Sequence, residues 1–269
     1  MSVLPRPRKR FGQHFLHDPH YIGRIVSAVA PAPGDRLVEI GPGRGAITVP
    51  LARSGAELCA LEVDRDLAAL LRERFAGMDN VTIVEADALE FDFAALGSDL
   101  RVVGNLPYNI STPLLFRLIG FRGHLRDLHF MLQKEVVDRM AAAPGTRAYG
   151  RLTVMLGCYM TVERLFDVPP GAFVPPPRVT SAVVRLRPRP QGEVRIADEA
   201  LLSRLVTQAF SRRRKTLRNA LKGMAAPEDL GAAGLDPGIR PEAVPVPAWV
   251  ALANRLAAHG AAARASGPG

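Results

Sequence analysis

The sequence predicts an α/β fold: a mostly parallel sheet wound with helices, followed by a small all-helical C-terminal domain. Three observations predict it. Short apolar runs alternate with helical patterns from residue 37 to about 187, the first run enters a glycine-rich turn, and only helical stripes follow Arg187-Pro188-Arg189-Pro190. Runs this short, rich in β-branched residues and spaced by helices, are buried strands of a parallel sheet.

In chain order, Arg36-Leu37-Val38-Glu39-Ile40 is the first such strand and leads into the turn. Leu58–Glu62, Val81–Val84, Leu100–Val103 and Leu128–Leu132 follow, with a helix opening at Asp66-Leu67-Ala68-Ala69-Leu70-Leu71 between the second and third. Two later strands are expected near Val154–Leu165 and Ser181–Leu186. The gap between them holds Pro169, Pro170 and Pro175 to Pro177, so it predicts an antiparallel pair closing the sheet. Beyond residue 190, Leu201, Leu202, Leu205, Val206, Ala209 and Phe210 form one helical stripe, broken by Arg213 and resumed at Leu217, Ala220 and Leu221. Pro245 and Pro247 lead into a last helix marked by Trp249, Leu252, Ala253 and Leu256, and the Ala/Gly/Ser tail after Ala261 is expected to be disordered. The division expected is therefore 1–190 and 191–269.

With 48% hydrophobic and 23% charged residues, the composition is that of a soluble globular protein, and no run reaches the roughly 18 apolar residues of a membrane span. No apolar stretch follows the basic N-terminal arm (Arg6, Arg8, Lys9, Arg10), so a cytoplasmic protein without a secretory signal is expected, with Cys59 and Cys158 as free thiols. The net charge of +9 is unevenly placed: Glu57 to Asp99 carries eleven acids against three arginines, net −8. Positive charge gathers in the N-terminal arm, in Arg178–Arg195 and in Arg212-Arg213-Arg214-Lys215 with Arg218 and Lys222. That segregation points to a polyanionic partner.

Glu39-Ile40-Gly41-Pro42-Gly43-Arg44-Gly45-Ala46 lies between a strand and a helix, where glycines let backbone approach a ligand. Gly41-x-Gly43-x-x-Ala46 also satisfies the dinucleotide fingerprint, and Glu62 at the end of the second strand would hold ribose hydroxyls in either case. Asp87, after the third strand, is placed to accept from an adenine amino group. Asn105-Leu106-Pro107-Tyr108 follows the fourth strand and has no use in a nicotinamide oxidoreductase. The exocyclic nitrogen of adenine is a poor nucleophile because its lone pair is delocalised into the ring. Acceptors from the Asn105 side chain and the Leu106 carbonyl would hold its two hydrogens and aim the lone pair at a sulfonium methyl. Pro107 fixes the backbone that presents the carbonyl, and Tyr108 offers a face for an extruded base.

These segments, together with Arg8–Leu16, Leu61-Glu62-Val63-Asp64, Phe173-Val174-Pro175-Pro176-Pro177-Arg178-Val179 and Arg213–Leu221, resemble the bacterial small-subunit (16S) rRNA adenine N6-dimethyltransferases. The segment 213–221 separates that branch from the related 23S rRNA methylases of macrolide resistance, which are the nearest alternative. The resemblance implies a Rossmann-like class I S-adenosylmethionine-dependent methyltransferase sheet with a helical RNA-binding domain. It further implies dimethylation of two adjacent adenosines in the 3′-terminal hairpin of 16S rRNA, on a pre-30S particle, by a protein expected to be monomeric. Carried over by position, His14 and Leu16 would close the cofactor site. Gly41 would approach the methionine moiety, Glu62 the ribose and Asp87 the adenine. Asn105 would bridge to the reacting centre, and Phe173 would flank the target base opposite Tyr108. The family has Asn or His at position 14; this chain has His. A non-enzymatic assembly factor on the same fold is the remaining alternative, and the intact tetrapeptide argues against it.

Overall fold

A computed structural model describes residues 13–190 and 192–265, with side chains as far as His259. The basic arm, the Phe11-Gly12 part of the N-terminal motif and residues 266–269 lie outside the described residues. In chain order the elements are β1 (Phe15–Leu16), α1 (Pro19–Val29), β2 (Arg36–Ile40), α2 (Thr48–Ala52), β3 (Glu57–Glu62), α3 (Arg65–Phe75), β4 (Val81–Glu85) and β5 (Leu100–Asn105). Then come α4 (Ser111–Gly120), β6 (Leu125–Gln133), α5 (Lys134–Met140), α6 (Arg151–Tyr159), β7 (Met160–Val168), β8 (Phe173–Val174) and β9 (Ser181–Pro188). The chain finishes with α7 (Glu199–Ser211), α8 (Leu217–Ala220), α9 (Pro227–Ala232) and α10 (Val246–Ala265).

Seven strands form one sheet in the order β4-β3-β2-β5-β6-β9-β7, parallel from β4 through β6, with β9 antiparallel to β6. The strand order reverses between β2 and β5, and the crevice at the carboxyl ends of two such strands is where α/β sheets hold ligands. Helices α1, α2 and α3 bury Ile25, Val29, Leu51, Leu71 and Phe75 against Leu37, Leu58, Val103 and Met131 of the strands. The intervening residue Val102 is equally buried, so β5 is enclosed on both faces, which explains its unbroken apolar run.

At the amino ends of the strands, Arg101 of β5 is 7% exposed and uses all five of its donors. Nε and Nη2 donate to Asp127 at 3.1 and 2.9 Å, Nη1 to Asp35 at 2.7 Å and to the Ala30 carbonyl at 3.3 Å, and Nη2 to the Val29 carbonyl at 2.6 Å. This fork ties α1, β5 and β6 together at the end of the sheet away from the glycine turn.

Three expectations are corrected. The strand expected at Val154–Leu165 is helix α6 as far as Tyr159 and strand β7 from Met160. Leu152, Leu156 and Tyr159 recur at helical spacing but sit among other buried apolar residues, and an all-apolar run hides its period. Second, the stripe from Leu201 to Leu221 is two helices, because α7 stops at Ser211 and Arg212–Lys215 form a turn before α8. Third, the tail is helical as far as Ala265.

The chain divides into two compact units, Met1–Val137 with Val162–Pro188, and Asp138–Thr161 with Arg189–Gly269. The helical unit thus takes in Asp138–Thr161, which the sequence reading assigned to the sheet. Its core gathers Leu202, Leu205, Trp249 and Leu252, and the Tyr149 hydroxyl donates to the Val244 carbonyl at 2.7 Å. A Cβ added to Gly157 of α6 would lie 3.0 Å from Val246 Cγ2 of α10, so a larger residue there would crowd that helix contact.

Candidate active site

β2 delivers the chain into Gly41-Pro42-Gly43 at the switch point. Gly43 has φ +58°, and an added Cβ would meet the Phe15 ring at 3.1 Å, so a larger residue would push β1 away. The turn is anchored across the tip of β3: Gly41 N–H donates to the Leu61 carbonyl at 3.0 Å and Gly43 N–H to Glu62 Oε2 at 3.0 Å. Glu62 is 4% exposed, and its other oxygen accepts from Asp64 N–H at 2.9 Å. Burial raises its pKa, opposed by these two backbone donors. Glu39, two residues before Gly41, is 2% exposed, and burial with the Glu62 charge behind it pushes its carboxyl up to about 8. Its Oε2 has no hydrogen-bond partner among the described residues.

β5 ends on Asn105, whose Nδ2 donates to the His14 carbonyl at 2.9 Å. Leu106 is buried, its N–H bonded to the Met131 carbonyl at 3.1 Å, so the chain turns outward at Pro107 with its backbone fixed. The Tyr108 hydroxyl shares a 2.9 Å hydrogen bond with Ser181 Oγ, and its ring stacks with His14, centroids 5.9 Å apart and planes 27° from parallel. Asp87 is exposed beyond β4, its Oδ1 accepting from Leu89 N–H at 2.8 Å.

One pocket collects nearly all the residues the sequence singled out: His14, Leu16, Gly41, Glu62, Asp87, Asn105, Leu106, Pro107 and Tyr108 all line it. Phe173 does not line it and is 2% exposed, so the structure lends no support to its expected place opposite Tyr108. β1 pairs antiparallel with β8, which sets Leu16 opposite Phe173, and both side chains enter the core beside Met131 and Val183. Successive residues of a strand point to opposite sides, so it is Val174 that is 50% exposed. Sequence reasoning also passed over several lining residues, among them Phe15 and Glu39. Glu39 carried a signal, a single acid inside an apolar strand; Phe15 carried none, since β1 is too short for any periodicity.

The basic run belongs to the helical unit. Arg212, Arg214, Lys215 and Arg218 are exposed, whereas the half-buried Arg213 is tied back onto the protein, donating to the Arg147 carbonyl at 2.6 Å beside Glu242. Among the described residues no helix is long and apolar enough to cross a membrane.

The pocket suits an adenosyl group carrying an amino acid. Carboxylates stand at two neighbouring strand tips, Glu39 lines the pocket with one buried oxygen unpartnered among the described residues, and Ile40, Leu61, Val63 and Ala88 supply apolar walls. Comparison with known proteins agrees. Ribosomal RNA small subunit methyltransferase A of Aromatoleum aromaticum is 56% identical over 253 residues, covering 94% of this chain and 95% of that protein. The Acinetobacter baylyi protein of the same name is 54% identical over 254 residues, covering 93% of each. Among solved structures, a dimethyladenosine transferase from Plasmodium falciparum superposes with TM-score 0.79 at 25% identity, over 89% of this chain and 96% of that one. The 23S rRNA methyltransferase ErmE gives 0.71 at 26% identity, over 90% and 99%. The profile of the Ribosomal RNA adenine dimethylase family matches residues 5–258, and the chain belongs to that family.

Proposed function

We propose that the protein transfers methyl groups from S-adenosylmethionine to the N6 amines of two adjacent adenosines in the 3′-terminal hairpin of 16S rRNA, acting as a cytoplasmic monomer on a pre-30S particle. The small-subunit relatives at 54–56% identity favour this substrate over 23S rRNA. The observation that carries the reading is the place of Asn105: at the tip of β5, in one pocket with Glu62 and Asp87, with Nδ2 already committed to the His14 carbonyl.

S-adenosylmethionine supplies a methyl carbon made electrophilic by its positively charged sulfur. Glu62 would hold its ribose hydroxyls and Asp87 its adenine amine, with Gly41 against the methionine part and His14 and Leu16 at the rim. Asn105 Oδ1 and the Leu106 carbonyl accept the two hydrogens of the target amine and orient its lone pair toward the cofactor side of the pocket. Tyr108 supports the extruded base, and the buried Leu106 side chain and Pro107 keep the accepting carbonyl from moving. Catalysis is then positioning and local electrostatics, without a dedicated general base. The exposed cations of the α7–α8 turn are taken as phosphate contacts.

Mass spectrometry of rRNA fragments after incubating purified 30S and 50S precursors with cofactor tests the substrate. Dimethyladenosine pairs in the small-subunit 3′ hairpin are expected; modification confined to 50S particles would reject the assignment. Asn105→Ala should lower methyl transfer about a hundredfold or more while RNA binding persists.

A further inference from the structure

We propose that His14 is a positioning residue that sets both Asn105 and Tyr108 for the methyl-transfer step, an inference that rests on the proposed reading of the site. Three contacts converge on this one residue. Its carbonyl takes the Asn105 Nδ2 donor at 2.9 Å, its ring stacks with Tyr108, and its Nδ1–H donates to the Pro175 carbonyl at 2.8 Å.

The first contact decides which end of the Asn105 amide faces a substrate. An amide presents a donor on one side and an acceptor on the other, and a half-turn about its last bond exchanges them. A carbonyl facing Nδ2 admits only one of the two orientations, so Oδ1 is left to accept from an incoming amine; it has no protein donor among the described residues. In the other orientation a donor would face the amine and repel it. The second contact backs one side of the Tyr108 ring while Ser181 holds its hydroxyl, so the ring is fixed before a base arrives.

The third contact is what makes His14 itself matter, since any residue has a carbonyl. Positions 15 and 16 are held by β8, but pairing starts at Phe15, and His14 lies one residue outside the ladder. The Nδ1–Pro175 bond extends the hold by that residue and keeps both the carbonyl and the ring in place. Asn is the side chain that can imitate it, because its Nδ2 lies where Nδ1 of His lies, two bonds from Cβ. Phe keeps a ring but loses the donor.

Four forms test this: wild type, His14→Ala, His14→Asn and His14→Phe, each first checked for a cooperative thermal transition. The side-chain amide resonance of Asn105 in 15N-labelled protein, assigned by its loss in Asn105→Ala, reports the tie without any substrate. It should move toward the free-amide position in His14→Ala and His14→Phe and stay in place in His14→Asn. In single-turnover methyl transfer at saturating S-adenosylmethionine, His14→Ala and His14→Phe should be slower by about tenfold or more, and His14→Asn should recover most of the rate. An Asn105 resonance unmoved in His14→Ala, or a rate that returns to wild type once S-adenosylmethionine is saturating, overturns the proposal. Should the resonance respond as expected while wild type methylates no small-subunit rRNA, the positioning role stands and the assigned substrate falls.

Discussion

Gly104, the residue before Asn105, pairs with Ile40 of β2, and adding one methyl there is the sharpest test of the site's geometry. A Cβ built on Gly104 would be 2.7 Å from the Ile40 carbonyl oxygen and 3.0 Å from Leu106 Cδ2. Carbon and carbonyl oxygen settle at about 3.3 Å or more, so the two strand tips must part by ~0.6 Å. The obstacle on the Ile40 side is backbone held in a parallel ladder with β5, so no flexible side-chain end can swing away. Overpacking of this kind costs about 1–3 kcal/mol, which for a protein of this size lowers the melting temperature by about 2–12 °C. The displaced groups are the glycine turn and Asn105, and misplacement by a sizeable fraction of an ångström should slow methyl transfer by about tenfold or more. Thermal unfolding and single-turnover transfer on 30S precursors measure both effects, with Gly120→Ala as the control. Gly120 has negative φ and no atom within 4 Å of its would-be Cβ, so it should be neutral or slightly stabilising. If Gly104→Ala melts and turns over like wild type, the tips of β2 and β5 are not packed as described and the argument for a rigid switch-point crevice is wrong.

Four further outcomes are expected. Asp127→Ala strands the Arg101 guanidinium without two of its five acceptors and should cost about 3–5 kcal/mol by urea denaturation; a loss below about 1 kcal/mol would mean the fork is not buried as described. Glu39 takes up its proton more tightly in the folded protein (about 8 against 4.5), so its contribution is full below pH 4.5 and is lost as pH rises through 8. Glu39→Gln should therefore gain on wild type between pH 5 and 8.5, by of order 4 kcal/mol at most, and a melting-temperature difference that stays flat over that range would contradict it. Neutralising Arg212, Arg214 and Lys215 together should make the slope of log affinity for small-subunit rRNA against log salt shallower by about 2–3, where an unchanged slope removes them as phosphate contacts. Arg213→Ala should leave that slope nearly alone and instead lower the melting temperature, because its guanidinium caps the Arg147 carbonyl.

Much of this was legible in the residues. β2 through β6 announced themselves because each is an apolar run with a definite stop, and the glycine turn and Asn105-Leu106-Pro107-Tyr108 fell at the ends of such runs. What stayed hidden had physical reasons. A helix buried all round, as α6 is, loses the polar residues that would mark its turns. Two-residue strands such as β1 and β8 have no period to detect, so their pairing, and with it the inward turn of Phe173, could come only from three-dimensional placement. Motif resemblance gave the type of residue at 173 but not the side of the strand it faces. For Arg213 the residue type signals only a charge, and the neighbouring Arg147 carbonyl shows that its guanidinium is engaged by the protein itself.

The sheet order carries a consequence for how the polypeptide is made. β9 lies between β6 and β7, yet β7 leaves the ribosome first. Until residue 188 has emerged, β6 presents an open row of backbone donors and acceptors, and β7 is the nearest strand able to occupy it wrongly. Correct insertion therefore requires β7 to wait or to be displaced. Since Ser181 of that late strand grips Tyr108, a nascent chain halted short of β9 would be without that hold on its active-site tyrosine.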